Sequence, residues 1–188
     1  VDGAAVLPVT AGGQTLHVDA VSFVPGCTAE DKPEAVGFDE LGRITAVMHD
    51  HVENWVVPPE FSRFRWDLDT MLSPHARWGD WRRAPNLTGA DAAVIARAAT
   101  QITTRLTEFG CGTDCFGLVH ADLRMANLMV DPDDTDAPIT VIDFDDSGWS
   151  WYLADLGAVV SFIEDTPEAE RIIADWLHGY REARKLPA

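Results

Sequence analysis

Hydrophobic residues recur at every third or fourth position in several parts of the chain, which is the spacing of an amphipathic helix. The first such stretch begins near Gly37 and should end before the prolines at 58 and 59, since proline cannot continue a helix. A longer helix is predicted to start at Thr88 or Asp91 and to stop at Gly110. The apolar positions of the two helices are Leu41, Ile44, Met48 and Val52, and then Val94, Ile95, Ala98, Ile102, Leu106 and Phe109.

Two further helices are predicted towards the C-terminus. One covers 151–163, "WYLADLGAVVSFI", and the other follows Thr166, with Pro167 at its first helical position. The second has no evident stop signal, so we expect it to continue close to Ala188. Between the first two helices, 58–87 is rich in proline, arginine and tryptophan and should be irregular with short helices. Its aromatic side chains are expected to be core anchors more often than ligand contacts.

Short apolar runs bounded by turn-forming residues predict β-strands. Two lie near the N-terminus and are joined by "AGGQ", and the connector "PGCTAEDKPE" follows them. Three more lie in the second half, where the turn-rich "DPDDTDAP" should join the last two as a hairpin. The five predicted strands cover 5–10, 15–24, 116–120, 127–130 and 139–144. Together with the helices, they predict an α+β fold.

A polar segment lies between two of these predicted strands. "VHADLRMANLMV" carries His120, Asp122 and Asn127 within eight residues, and Asp143 follows in the last strand. Each residue alone could be structural, but pairing across a short hairpin would bring Asn127 close to Asp143. Oxygen ligands from Asn and Asp suit Mg²⁺, which would leave Asp122 free to accept a hydroxyl proton. Arg124 is expected to place a positive charge near a transferred phosphoryl group.

"HADLRMANLMVD", followed by "ITVIDFDDSGWSWYLADLG", resembles the aminoglycoside phosphotransferase and choline kinase-like family, which shares the protein-kinase fold. With "LGRITAVMH" upstream, the sequence is most similar to the branch of the bacterial stress-response Ser/Thr kinase and homoserine kinase-like proteins. The resemblance implies that Asp122 is the catalytic base and that Asn127 and Asp143 bind Mg²⁺. It also implies that His120 braces the catalytic loop and that Asp155 ties the loop down from the following helix.

The same resemblance implies a domain organisation. Residues 27–188 would form the C-terminal lobe, mainly helical with a short catalytic β-hairpin. Residues 1–26 would be the last strands and hinge of the N-terminal lobe, with Phe23 and Val24 where adenine meets the backbone. Kinases of this fold also use a phosphate-covering glycine-rich loop and a strand lysine. The chain contains only Lys32 and Lys185, neither in a predicted strand, so we expect the missing part to lie outside this chain.

The implied reaction is transfer of the γ-phosphoryl group of ATP to a hydroxyl of a small molecule or of a protein Ser/Thr. Two other functions remain open. The strand predicted over 139–144 leads into a D-x-D pair, Asp143 and Asp145, which resembles the nucleophile and general acid of haloacid-dehalogenase-like phosphatases. That family needs a downstream lysine, and Lys185 is the only later one. A regulatory module that keeps the kinase-like fold without its activity is the other alternative.

Charge and composition exclude several classes of partner. With 31 acidic and 14 basic residues the net charge is −17, which disfavours binding to nucleic acid. No apolar run approaches the roughly 20 residues of a membrane-spanning helix, so we expect no membrane partner. The three cysteines lack zinc-site spacing, which favours a reduced, cytoplasmic protein. The chain begins at Val1 without a leader, and we expect it to be part of a longer polypeptide.

Overall fold

A computed structural model describes residues 6–134 and 136–186 of the chain. The α+β expectation is confirmed: helices dominate, and the strands are short. The helices in this part of the chain are α1 (Phe38–Asn54), α2 (Leu68–Leu72), α3 (Gly89–Phe109), α4 (Ala154–Val159) and α5 (Pro167–Ala183). As expected, 58–87 is irregular around α2 and one 3-10 turn, Trp81–Arg83.

The strands form three small antiparallel groups. A hairpin of β1 (Leu7–Ala11) and β2 (Gln14–Val18) turns at two glycines of positive φ and is solvent-exposed along both strands. The second group contains β3 (Cys27–Thr28), β5 (Leu128–Val130) and β6 (Thr140–Val141), with β5 in the middle. The third pairs β4 (Phe116–Val119) with β7 (Gly148–Trp151). The predicted hairpin between 127–130 and 139–144 is therefore confirmed as β5–β6.

Several predicted boundaries were wrong. The strand predicted over 15–24 ends at Val18. Val18 pairs with Leu7, which is the first paired residue in the described part of the partner strand. The strand predicted over 139–144 keeps only two residues, and the left-handed backbone of Asp143 (φ 66°) lies just beyond it. The first predicted C-terminal helix covers only Ala154–Val159.

The residues before that helix form β7, which the sequence reasoning missed. Gly148 and Ser150 face inwards, where there is little room, because a Cβ on Gly148 would lie 2.9 Å from the backbone oxygen of Phe64. Helix α5 also stops earlier than expected, at Ala183. Arg184 leaves the helix in an extended conformation and forms an ion pair with Glu53. The part of that prediction that falls on 187–188 lies outside the described residues.

Helices α1 and α5 form the main core contact. Trp176, Tyr180 and Leu41 are fully buried between them, and Leu123 from the polar loop joins the same cluster. Two glycines allow the helix backbones to touch. A Cβ on Gly42 would overlap the carbonyl oxygen of Trp176, and a Cβ on Gly179 would overlap that of Asp39. The close approach places the C-terminal half of α5 directly against α1.

Helix α3 was predicted correctly in extent. Thr88 caps it, with a reciprocal hydrogen-bonded box to Asp91, and Gly110 ends it with φ 81°. No residue of α3 is buried, and the predicted apolar side is largely open to solvent, with Val94 55% exposed and Ile102 44% exposed. None of the helices in 6–134 and 136–186, α3 included, is both long and apolar enough to cross a membrane.

The packing of α1 on α5 makes a prediction about stability. Gly42→Ala and Gly179→Ala should each lower the free energy of unfolding by about 1–3 kcal/mol or more, because the new methyl group meets backbone that can move only by separating the helices. Chemical denaturation with circular dichroism measures the effect. Gly89→Ala in α3, where an added Cβ meets no atom within 4 Å, is the matched control and should change stability by less than about 1 kcal/mol. Equal stability of all three variants would contradict the packing argument.

Candidate active site

The polar loop runs from the end of β4 to the start of β5 and contains a 3-10 turn, Met125–Asn127. Its conformation brings two of the predicted residues, Arg124 and Asn127, to the carboxylate of a third, Asp122. Arg124 donates from Nε to Oδ1 of Asp122 (2.8 Å), and Asn127 donates from Nδ2 to Oδ2 of Asp122 (3.0 Å). The same amide also donates to the backbone oxygen of Asp122 (2.8 Å). The carboxylate of Asp122 is thus fixed from both sides while its side chain stays 31% exposed.

His120 is buried and connects the loop to the neighbouring hairpin. Its Nε2 donates to the backbone oxygen of Ile142 (3.0 Å), so Nδ1 of a neutral ring is free to accept the N–H of Asp122 (3.4 Å). The ring also lies 4.7 Å, centroid to centroid, from Phe144. These contacts link Asp122 to the segment that carries Asp143.

Asp155, at the start of α4, is 1% exposed and points at the beginning of the loop. Its Oδ1 accepts the N–H of Ala121 (2.7 Å), and its Oδ2 accepts the N–H of His120 (3.3 Å). Ala121 has φ 70°, in the left-handed region that a residue with a Cβ rarely occupies. The buried carboxylate therefore holds a strained peptide immediately before Asp122.

The β5–β6 hairpin brings the segment of Asp143 to the end of the loop. The N–H of Ile142 donates to the backbone oxygen of Asn127 (3.0 Å), one residue before Asp143. A hydrogen bond with Asp145 raises the pKa of Asp143 above its usual value, and the charges of Asp145 and Asp122 act in the same direction. Several acidic groups are thus close enough to oppose one another's ionisation.

This donor set fits a hard divalent cation. Asn127 uses its Nδ2 on Asp122, which leaves the amide oxygen as a possible ligand beside the Asp143 carboxylate. Mg²⁺ takes few protein ligands, and a cation would offset the mutual repulsion that raises the pKa of Asp143. Within 6–134 and 136–186 no group of three or more His, Cys, Asp and Glu side chains that could hold a metal ion is found.

A cavity of about 440 Å³ opens beside Asp122. One wall is aromatic: Trp66 and Trp78 stack with ring centroids 6.0 Å apart. Trp66 is held by a hydrogen bond from its Nε1 to the backbone oxygen of Asp146 (2.8 Å), whereas Trp78 is 80% exposed. The other lining residues include six small ones, three of them on α4, namely Ala121, Ser150, Ala154, Gly157, Ala158 and Ser161.

Other predicted site residues lie apart from the loop or act differently there. Phe23 follows the β1–β2 hairpin in a segment without regular structure, and its side chain is 88% exposed. Its neighbour Val24 is half-buried. Arg124, expected near a phosphoryl group, forms an ion pair with Asp122. Lys32 ties the connector to the hairpin by donating from Nζ to the backbone oxygen of Pro132 (2.7 Å). The boundary between 1–26 and 27–188 stays a prediction.

Sequence reasoning missed His49 and Tyr180, which lie directly behind Asp155. His49 Nε2 is 3.0 Å from Asp155 Oδ2, and His49 Nδ1 is 3.0 Å from the hydroxyl of Tyr180. A signal existed, because His49 lies four residues after Thr45 and eight after Leu41, on the buried face of α1. The aromatic wall was anticipated only in part: Trp66 is a core anchor as expected, but Trp78 is not.

Comparisons with known proteins find a matching family and several similar kinases. Residues 4–186 match the family described as "Phosphotransferase enzyme family" (APH). An amicoumacin kinase of Bacillus subtilis (strain 168) is 27% identical over 159 residues, which are 79% of this chain and 43% of that protein. Among solved structures, a microcompartment-associated aminopropanol kinase is 40% identical with a TM-score of 0.84, covering 100% of this chain and 58% of that one.

A choline/ethanolamine kinase family protein from Mesorhizobium loti shares the fold, with a TM-score of 0.56 at 16% identity over 96% of this chain and 56% of that one. The chain spans about half the length of these relatives. The expected protein-kinase-like fold is confirmed by these structures. Since the family match extends over nearly all of its residues, the chain belongs to the APH phosphotransferase enzyme family.

Proposed function

We propose that the protein transfers the γ-phosphoryl group of ATP to a hydroxyl of a small molecule, with Asp122 as the catalytic base. The observation that carries the proposal is the position of Asp122, whose oriented and partly exposed carboxylate borders a cavity of small-molecule size. Family membership supports the reaction class. It also disfavours the phosphatase alternative, in which Asp143 and Asp145 would act and the loop around Asp122 would have no role.

The contacts of Asp122 suit it to act as a base. Oδ2 accepts from Asn127 (3.0 Å) and from a terminal nitrogen of Arg124 (3.4 Å), whereas Oδ1, among the described residues, accepts only from Nε of Arg124 (2.8 Å) and can accept a second hydrogen bond. An acceptor hydroxyl in the cavity would donate to Oδ1. As its O–H bond breaks, the proton passes to Asp122, the hydroxyl oxygen bonds to the γ-phosphorus, and the bond from phosphorus to the bridging oxygen of ADP breaks.

Residues outside the loop would complete the site. Asn127 and Asp143 are proposed to hold Mg²⁺, which when bound would neutralise charge between the phosphates. Phe23 and Val24 are proposed to meet the adenine of ATP. Arg124 would keep the Asp122 carboxylate oriented towards the cavity between turnovers.

We propose a small amino alcohol as the acceptor. The aminopropanol kinase that is 40% identical to this chain points to that class, and the named relatives favour a small molecule over a protein Ser/Thr. The cavity offers complementary chemistry, because Asp122 and Asp146 line it with acidic residues and the exposed ring of Trp78 presents a face that attracts cations. The small residues of α4 leave room for a short carbon chain.

Replacing the base tests the reaction. Asp122→Asn keeps the size of the side chain but removes the proton acceptor, so kcat should fall by about 10²–10⁴-fold. The assay is ADP release by the full-length protein with Mg²⁺, ATP and an amino alcohol. Asp133→Asn, which changes an exposed carboxylate in the β5–β6 turn, is the matched control and should keep wild-type activity. Normal turnover by the Asp122→Asn variant would refute the assignment of the base.

The proposed metal ligand has its own test. Asp143→Asn should raise the Mg²⁺ concentration needed for half-maximal rate by about tenfold or more, because a carboxylate ligand is lost. Titration of the initial rate with MgCl₂ at saturating ATP measures this. The Asp133→Asn variant again serves as the control, and identical Mg²⁺ curves for the wild type and the Asp143→Asn variant would argue against Asp143 as a ligand.

The acceptor cavity can be filled from its small-residue wall. An added Cβ on Gly157 meets no atom within 4 Å, so Gly157→Leu should fold and project into the cavity. The KM for the amino alcohol should rise by about tenfold or more while the KM for ATP stays within about twofold. The same change at Gly89, which is also open, should alter neither constant. An unchanged acceptor KM in the Gly157→Leu variant would show that the acceptor binds elsewhere.

A further inference from the structure

Three buried polar side chains lie behind the loop, each from a different helix. His49 of α1 is 1% exposed, Asp155 of α4 is 1% exposed and Tyr180 of α5 is fully buried. Burying polar groups is costly unless each one is hydrogen-bonded. Here His49 lies between the other two, 3.0 Å from each of them.

When the His49 ring is neutral, the chemistry of its partners sets the direction of both hydrogen bonds. An ionised carboxylate can only accept, so Nε2 of His49 carries a proton and donates it to Oδ2 of Asp155. In the neutral ring, Nδ1 is then an acceptor, and the partner that can donate to it is the O–H of Tyr180. Burial raises the pKa of Tyr180 to about 12, so its hydroxyl keeps its proton at neutral pH.

This chain of hydrogen bonds ends on the backbone that places Asp122. Asp155 accepts the N–H groups of His120 and Ala121 as well as that of His49. Ala121 is left-handed, and a backbone in that region persists only when its surroundings hold it there. A carboxylate free to rotate would hold the Ala121 peptide less firmly than one fixed by a third donor.

We propose that His49 and Tyr180 are positioning residues for phosphoryl transfer, which hold the Asp155 carboxylate in the orientation that sets the Ala121 peptide and therefore Asp122. The proposal rests on the proposed function for its effect on catalysis. It extends that function from the loop to the pairing of α1 with α5, since these two helices supply the hydrogen bonds.

A purely structural role for His49 makes a different prediction. The ring packs on Tyr152, with centroids 4.6 Å apart, and on Tyr180, with centroids 5.7 Å apart. If packing were its whole role, a leucine or a glutamine of similar volume would serve about equally well. If the donated hydrogen bond matters, glutamine should serve better than leucine, because only glutamine has an N–H that can reach Asp155.

The experiment compares His49→Leu with His49→Gln in the full-length protein. In the leucine variant kcat should fall by about 10–100-fold while both KM values stay within about twofold, because the base is misplaced but the binding surfaces are intact. In the glutamine variant kcat should return to within about threefold of the wild type. Equal kcat values for the two variants, scaled to the folded fraction, would overturn the proposal.

A pair of tyrosines provides the test if the leucine variant fails to fold. Tyr180→Phe removes only the hydroxyl that orients His49, and kcat should fall severalfold at unchanged KM. Tyr152→Phe is the matched control, since this buried neighbour donates its hydroxyl to the backbone oxygen of Thr113 (3.3 Å), away from Asp155. The control should keep wild-type kcat, and equal kcat in the two phenylalanine variants would overturn the role of Tyr180.

Amide hydrogen exchange separates this proposal from the proposed function. The N–H of Ala121 should exchange more slowly in the wild type and in His49→Gln than in His49→Leu, whether or not any acceptor is phosphorylated. An inactive wild type with this exchange pattern would refute the proposed function and keep the positioning role. An active wild type with equal Ala121 exchange in all three proteins would refute the positioning role alone.

Discussion

The site depends on the hydrogen bonds between one buried carboxylate and one strained peptide. Asp155 accepts hydrogen bonds from two successive backbone N–H groups and from His49, and the second of those N–H groups belongs to the left-handed Ala121. A non-glycine residue in that conformation costs about 1–2 kcal/mol. Three donors to a buried anion can more than offset this, because hydrogen bonds to charged groups contribute about 1.5–3 kcal/mol each. These hydrogen bonds to Asp155 therefore set the position of Asp122.

A second constraint comes from the short hairpin. Pairing of β5 with β6 sets the segment of Asp143 beside Asn127, and the ring of His120 bridges from that segment to Asp122. His120 therefore has hydrogen bonds to both the loop and the hairpin, and the two together orient its ring. A hydrogen bond with Asp145 and the charges of Asp145 and Asp122 raise the pKa of Asp143, so a cation bound there would favour the ionised carboxylate.

The sequence predicted the structural elements that depend on local residue patterns. The α+β class, the extents of α1 and α3 and the β5–β6 hairpin followed from helical spacing, capping residues and turn chemistry. Strand β7 was missed because a Gly-Trp-Ser-Trp segment becomes a strand only when β4 is present to pair with it. The sequence did not indicate whether α3 is buried, because an apolar stripe shows that a helix can be buried, not what lies against it.

The close approach of α1 and α5 limits which amino-acid substitutions the protein tolerates. Gly179 immediately precedes Tyr180, and Gly42 lies two turns before His49, so the distance between the helices also sets the distance between these polar partners. Any side chain that wedges the helices apart would lengthen the hydrogen bonds behind Asp155. The packing of α1 on α5 and the hydrogen bonds behind Asp155 therefore depend on the same pair of glycines.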